Sequence, residues 1–237
     1  MLSHNLKAVI YSPDIYPASV KTLNSYGIEV FPSCRCEYVL LPLSYHSDLQ
    51  ISKLNENLFV CAPQIHEYYN TLLSKFNKEL IKGNTYLSCN YPGDIAYNII
   101  VTDQYAIHNF DYTDDIIKEK IKFKKKINVR QGYTGCTLCL ISENAAITSD
   151  SGIYKSLVSN GFDVLFVNDE KILLPGFEHG FFGGSSFMLS PSVLAINGNI
   201  KSHSDYKAII HFCSNYGVDV LSLSNECIMD IGSVITL

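Results

Sequence analysis

A polar triplet with a spacing of two residues, in the stretch YHSDLQ, is the first candidate for chemistry in this sequence. It consists of His46, Asp48 and Gln50. Residues two apart on an extended strand point to the same face, so these three side chains would line one pocket. The alternative is a polar loop before the strand, in which Asp48 caps a turn. The triplet therefore makes this stretch a candidate ligand-binding site.

Cys136, in the stretch QGYTGC, is a weak candidate for a nucleophile. A cysteine attacks as its thiolate, and Tyr133 or His46 would have to assist it. The alternative is a small buried hydrophobic residue. Cys136 and Cys139 spell C-x-x-C, but thiols three apart on a strand point to opposite faces. We therefore predict no metal site and no cofactor.

Further polar residues open other β-rich stretches. Asp94 and Asn98 occur in YPGDIAYN, Ser185 follows the paired glycines of GFFGGSS, and Asp230 begins DIGSVITL. Glycines let a ligand approach the backbone closely, although they also permit a tight turn. Asp94 and Asn98 fit a pocket and a structural role equally well. We include all four residues among the candidate ligand-binding residues.

The composition limits the class of partner. The chain has 237 residues, a formal net charge of −5, and 47% apolar against 17% charged residues, so much of it must be buried. The acidic balance argues against nucleic acid. No apolar stretch approaches the about 18 residues of a membrane span. The start, MLSHNLKAVIYSPD, lacks a signal-peptide pattern. We expect a cytoplasmic protein with reduced cysteines, and the sequence leaves its oligomeric state open.

One order of elements recurs along the chain. In residues 131–168, GCTLCLIS and NAAITSD read as strands, SGIYKSLVSNG as a helix that ends at Gly161, and FDVLFVN as a third strand. The same ββαβ order is predicted for residues 34–90, 91–130 and 169–227. The chain is therefore predicted to be an α/β protein built from similar units.

The two chain ends complement each other. Residues 1–33 offer a strand, a helix and a strand, so the first strand of that unit is missing, while DIGSVITL within residues 228–237 is left over. If this strand pairs beside KAVIYS, the fifth unit is complete and the ring closes. The alternative is an edge strand of an open α/β sheet. We predict a single domain, residues 1–237, with a closed five-bladed α/β propeller.

Five ββαβ units closed by a C-terminal strand resemble the pentein fold of guanidino-group-modifying enzymes. The stretches YHSDLQ, YPGDIAYN, RQGYTGC, LLPGFEHGFFGGSS and DIGSVITL are similar to those of an uncharacterised bacterial family assigned to that fold. The enzymes with this fold include deiminases, dimethylarginine hydrolases and amidinotransferases. The resemblance implies a site at the mouth of a central channel, lined by the openings of the first strands.

The same resemblance implies a catalytic cysteine on the closing strand and a histidine at the start of the fourth unit. Val234 and Ile235 stand at the first place and Tyr133 at the second, so neither role carries over. The acidic positions of these enzymes do have counterparts, because Asp48 and Asp94 match the acidic residues at the starts of the second and third units.

The sequence thus supports two hypotheses of function. The first is a protein that binds a small polar or cationic ligand, such as a guanidino or amino compound, without the Cys-His machinery. The second is a hydrolase or transferase of guanidino or amide compounds with relocated catalytic residues, among them Cys136. A ribosomal role, by analogy with the pentein-fold anti-association initiation factor, would rest on the fold alone.

Overall fold

Short strands and short helices alternate in the part of the chain that the computed structural model describes, residues 6–237. Residues 1–5, which the sequence analysis assigned to the first unit, lie outside the described residues. The strands are β1 Ala8–Tyr11, β2 Glu29–Pro32, β3 Ile51–Lys53, β4 Leu58–Cys61, β5 Glu79–Lys82, β6 Ile100–Val101, β7 Tyr105–His108, β8 Lys125–Asn128, β9 Leu138–Ser142, β10 Ala145–Thr148, β11 Asp163–Phe166, β12 Ser186–Ser190, β13 Val193–Ile196, β14 Asp219–Ser222 and β15 Ile235–Thr236. The α-helices are α1 Pro17–Ser25, α2 Ser47–Gln50, α3 His66–Ser74, α4 Asp115–Lys120, α5 Thr134–Thr137, α6 Ser151–Ser159 and α7 Tyr206–Asn215.

These strands form small sheets of one design. In each sheet the middle strand pairs antiparallel with one neighbour and parallel with the other. A helix joins the two parallel strands, as a parallel connection requires. The described residues form five such sheets: β15–β1–β2, β3–β4–β5, β6–β7–β8, β9–β10–β11 and β12–β13–β14. The α/β class and the order of strands and helices agree with the sequence analysis.

The middle strands and the inner faces of the helices form the core. All four residues of β1 and of β10 are buried, whereas the outer strands β2 and β11 are exposed at both ends. Helix α3 buries Tyr69, Leu72 and Leu73, which share one face because they are three and four residues apart. Helix α3 thus packs its apolar face against its own sheet. Within residues 6–237, no helix is long and apolar enough to cross a bilayer.

The first strands of three units, β3, β9 and β12, begin later in the chain than the sequence suggested. Single helical turns, α2 and α5, precede β3 and β9, and a 3₁₀ turn over Gly183–Ser185 precedes β12. His46, Asp48 and Gln50 therefore do not alternate on one strand, and the prediction that they share a strand face was wrong. Short polar residues and glycines at these places bond to nearby backbone groups and favour turns.

The C-terminal strand completes the first sheet, as the sequence predicts. Ile235 lies opposite Ile10 in the antiparallel pairing of β15 with β1. The Leu237 amide donates a hydrogen bond of 2.9 Å to the carbonyl of Ala8. Ile235 and Leu237 are both buried. The strand is only two residues long, because residues 230–234 form a bend rather than the rest of a strand.

The bend at residues 230–234 contacts three other units. The Ser47 hydroxyl donates to the carbonyl of Gly232 at 3.2 Å. The Ser233 hydroxyl donates to the carbonyl of Gly135 at 2.9 Å, and the Ser233 amide donates to the carbonyl of Gly184 at 3.2 Å. The C-terminal segment is therefore fixed to the turns that precede β3, β9 and β12.

Replacing Gly232 by alanine is expected to destabilise the protein more than the matched change Gly27→Ala. Both glycines have a positive φ, +73° and +76°, so alanine at either position costs about 1–2 kcal/mol in backbone conformation. At Gly232 an added Cβ would also lie 2.2 Å from Cγ of His46, whereas Gly27 has no such neighbour within 4 Å. Chemical denaturation of both variants measures the difference. Equal losses of unfolding free energy would contradict a bend pressed against His46.

Candidate functional site

A cavity of about 320 Å³ opens where the bend meets the turns of the second and fourth units. This volume is typical of small-molecule sites. Four of the predicted site residues line it, His46, Tyr133, Cys136 and Asp230. The other lining residues are Leu43, Leu49, Leu174, Phe177, Glu178, His179 and Phe181. The structure therefore brings about half of the predicted residues to one cavity wall.

Asp230 is a buried carboxylate that the backbone holds in place. Its Oδ1 accepts a hydrogen bond of 2.9 Å from the Gly232 amide, and its Oδ2 accepts one of 2.9 Å from the Phe181 amide. Burial and the neighbouring Asp48 raise the pKa of Asp230 to about 6, against the opposing effect of His46 and the two amides. Asp230 is therefore mostly ionised at neutral pH. Each oxygen keeps a lone pair for a ligand.

Cys136, Asp48 and His46 form a buried cluster beside Asp230. The Cys136 thiol donates a hydrogen bond of 2.9 Å to Oδ2 of Asp48. The sulfur, a carboxylate oxygen of Asp48 and a ring nitrogen of His46 all lie within 4.8 Å of one another. Burial raises the pKa of the Cys136 thiol well above its usual value, and the charges of Asp48 and Asp230 raise it further. The thiol is therefore protonated at neutral pH and is a poor nucleophile unless a positive charge compensates.

Asp94 and Asn98 lie behind the cavity wall and support residues that line it. Asp94 accepts a hydrogen bond of 2.7 Å from the Tyr133 hydroxyl, and burial raises the pKa of Asp94. Burial and the Asp94 carboxylate also raise the pKa of Tyr133. Asn98 accepts from the Gly135 amide, and its Nδ2 donates to the sulfur of Cys136 at 3.5 Å. Both residues therefore position their neighbours rather than face the cavity.

Gln50 and Ser185 are not brought to the cavity. The Gln50 Nε2 donates to the carbonyl of Cys34 at 2.7 Å, and its Oε1 accepts from the Tyr69 hydroxyl at 2.6 Å. The Ser185 hydroxyl donates to the carbonyl of Phe182 at 2.9 Å. Both side chains are buried and bonded within the protein. They hold the local turns in shape.

Several cavity-lining residues come from one loop that the sequence reasoning did not select. The loop contributes Leu174, Phe177, Glu178, His179 and Phe181. It is anchored by a hydrogen bond of 2.8 Å from the Asp230 amide to the carbonyl of Leu173. The available signal was a glutamate next to a histidine in a Gly- and Pro-containing loop, where binding residues are often found.

The fold matches solved enzyme structures that share little sequence with this chain. A substrate-bound agmatine deiminase of C. jejuni aligns with a TM-score of 0.57 at 12% identity, covering 98% of this chain and 93% of that one. A dimethylarginine dimethylaminohydrolase gives 0.59 at 8% identity, over 98% and 100% of the two chains. An inosamine-phosphate amidinotransferase of Streptomyces griseus gives 0.52 at 11% identity, over 99% and 95%.

These three neighbours are pentein-fold enzymes, so the resemblance that the sequence suggested is confirmed at the level of the fold. Identities this low establish the fold alone. A comparison with curated proteins gave no match. A family model matches residues 10–235, which is nearly the whole chain. The chain therefore belongs to DUF6873, which is described as a family of unknown function.

Proposed function

We propose that this protein binds a small organic cation, a guanidino or amino compound, in the cavity beside Asp230. The observation that carries the proposal is the charge of the lining. Asp230 and Glu178 both line the cavity, and the described lining residues include no lysine or arginine. A cation taken out of water needs paired anions. Asp230 would pair with it in the interior and Glu178 at the exposed end of the cavity.

The remaining lining residues favour a cation with an apolar spacer. Leu43, Leu49 and Leu174 offer aliphatic surface, and Tyr133 and Phe177 offer aromatic rings. Aromatic faces attract cations and also cover alkyl chains. A carboxylate on the ligand would find no lysine or arginine among the described lining residues, and it would lie near Asp230 or Glu178. We therefore favour amines without a carboxylate over amino acids.

The names of the structural neighbours support the proposed cation binding. The solved neighbours include enzymes named for agmatine and dimethylarginine, which both carry a guanidino group.

The contacts of the bend also bear on how the units are arranged. The bend at residues 230–234 bonds to the turns before β3, β9 and β12. We propose on this basis that the five units form one domain that closes around the cavity, with β15 as the closing strand.

Agmatine is expected to bind at least about tenfold more tightly than arginine, a difference of about 1.4 kcal/mol. The reason is that the carboxylate of arginine would face Asp230 or Glu178 in a cavity whose described lining has no lysine or arginine to pair with it. Isothermal titration calorimetry on the full chain, after treatment with a chelator, measures both affinities. Glu178→Gln is expected to weaken agmatine binding, whereas Glu170→Gln is the matched control, because Glu170 is exposed in the same region and does not line the cavity.

Asp230→Asn removes the interior charge and is expected to abolish agmatine binding. Circular dichroism and the melting temperature establish whether this variant remains folded. An absence of heat with agmatine, arginine and simple amines for the wild-type protein would overturn the proposed function. Unchanged agmatine affinity in the folded Asp230→Asn protein would exclude Asp230 as the partner of the cation.

Covalent chemistry at Cys136 is the second candidate function. Two observations favour it: Cys136 lines the cavity, and its sulfur lies within 4.8 Å of a ring nitrogen of His46. Burial, followed by the nearby carboxylates of Asp48 and Asp230, raises the pKa of this thiol and so opposes formation of the thiolate. A guanidinium held by Asp230 would supply a positive charge that lowers the pKa of this thiol. The bound cation would then be required for reactivity.

Without ligand, Cys136 is expected to react with iodoacetamide much more slowly at pH 7.5 than the exposed Cys89 and Cys227. Peptide mass spectrometry gives the rate at each cysteine within one sample. A faster reaction of Cys136 in the presence of agmatine would favour covalent catalysis. If Cys136 of the ligand-free protein is labelled as fast as Cys89, the protonated, buried thiol is the wrong description.

A further inference from the structure

Three side chains of types that can bind a metal ion come together from two different units at the wall of the cavity. His46 and Asp48 belong to the turn before β3, and Cys136 belongs to the turn before β9. Their donor atoms lie within 4.8 Å of one another. The three residues are only 3%, 6% and 4% exposed. The cluster is therefore held by the surrounding fold and is not a group of mobile surface side chains.

Two atoms of this cluster lack a hydrogen-bond partner among the described residues. They are Nδ1 of His46 and Oδ1 of Asp48, and both are buried. A buried polar atom without a partner costs about 1–3 kcal/mol, so native structures usually supply one. Asp48 uses its other oxygen to accept from the Cys136 thiol. Both atoms can therefore take a bound group as their partner.

We propose that His46, Asp48 and Cys136 bind one Zn²⁺ ion. An imidazole, a carboxylate and a thiolate are the donors that zinc takes in proteins, whereas Mg²⁺ and Ca²⁺ prefer oxygen alone. Three protein ligands leave a fourth position open, as in catalytic zinc sites. This position would face the cavity, because His46 and Cys136 line it. Zinc binding displaces the thiol proton of Cys136, which is released to solvent.

The surroundings provide support for these ligands. Asn98 donates to the Cys136 sulfur at 3.5 Å and is itself fixed by the Gly135 amide. The Ser47 hydroxyl, next to His46 and Asp48 in the chain, donates to the carbonyl of Gly232 and so fixes the backbone of the turn rather than a ligand atom. Outer contacts of the kind that Asn98 makes orient metal ligands in known sites. No metal site was predicted from the sequence, because Cys136 was considered as a metal ligand only together with Cys139, and His46 was considered beside it only as a catalytic partner.

The zinc proposal is independent of the proposed cation binding. Zn²⁺ with the Cys136 thiolate, the Asp48 carboxylate and a neutral His46 forms a set with no net charge. Asp230 and Glu178 remain as the carboxylates for an organic cation. The two proposals can therefore fail separately: zinc is measured without any amine, and the amine is measured in chelator-treated protein.

The test is metal binding by the full chain after removal of metal with a chelator. Zn²⁺ is added, excess is removed by gel filtration, and elemental analysis is expected to give one zinc per chain. Co²⁺ in place of zinc is expected to give the near-ultraviolet absorption of a cobalt–thiolate bond. Cys136→Ser should abolish this absorption and weaken zinc binding by more than about 100-fold, because loss of an outer contact alone costs about 10–100-fold.

Two further variants make the result specific. Cys139→Ser is the matched control, because Cys139 is also buried but lies outside the cluster, and it should retain full zinc binding. Asp48→Asn is a second ligand variant in case Cys136→Ser does not fold, and it should also lose zinc. Wild-type protein that retains no zinc would overturn the proposal. Equal zinc content in folded Cys136→Ser protein would overturn it as well, since the metal would then reside on other residues.

Discussion

The hydrogen bonds that fix the buried carboxylate of Asp230 are the constraint on which the site depends. One oxygen accepts from the amide of Gly232 in the C-terminal bend, and the other accepts from the amide of Phe181 in the cavity loop. A Cβ at Gly184 would lie 2.0 Å from Oδ1, so only glycine lets the carboxylate sit against that turn. The Asp230 carboxylate thus ties the C-terminal bend to the cavity loop, and it packs against the turn before β12.

The site is built on turns rather than on the strands that they precede. The turns before β3 and β9 carry His46, Asp48 and Cys136, and the ββαβ sheets beneath them supply a rigid frame. The frame is shared with enzymes that modify guanidino compounds, but similarity of fold does not transfer an activity. The case for a cation rests instead on two carboxylates in a cavity whose described lining has no basic lysine or arginine.

Local signals in the sequence predicted much of the fold but only part of the candidate site. Helix ends at glycine and alternating β-rich runs predicted the ββαβ order, and the surplus apolar end predicted the pairing of β15 with β1. Side-chain type identified His46, Tyr133, Cys136 and Asp230, but their meeting depends on contacts between distant units. The same patterns could not show that Gln50 bonds to Cys34 and Tyr69, because these bonds come from tertiary structure. Glu178 was missed because an exposed loop has no periodicity to read.

The most direct measurement is an experimental structure of the protein crystallised with agmatine at saturating concentration. If Asp230 is the partner of the cation, the guanidinium or ammonium group will lie within hydrogen-bond distance of its carboxylate, and the alkyl chain will run along Leu43 and Leu174. A cavity that contains only ordered water under these conditions, or agmatine bound elsewhere on the protein, would contradict a cation site built around this carboxylate.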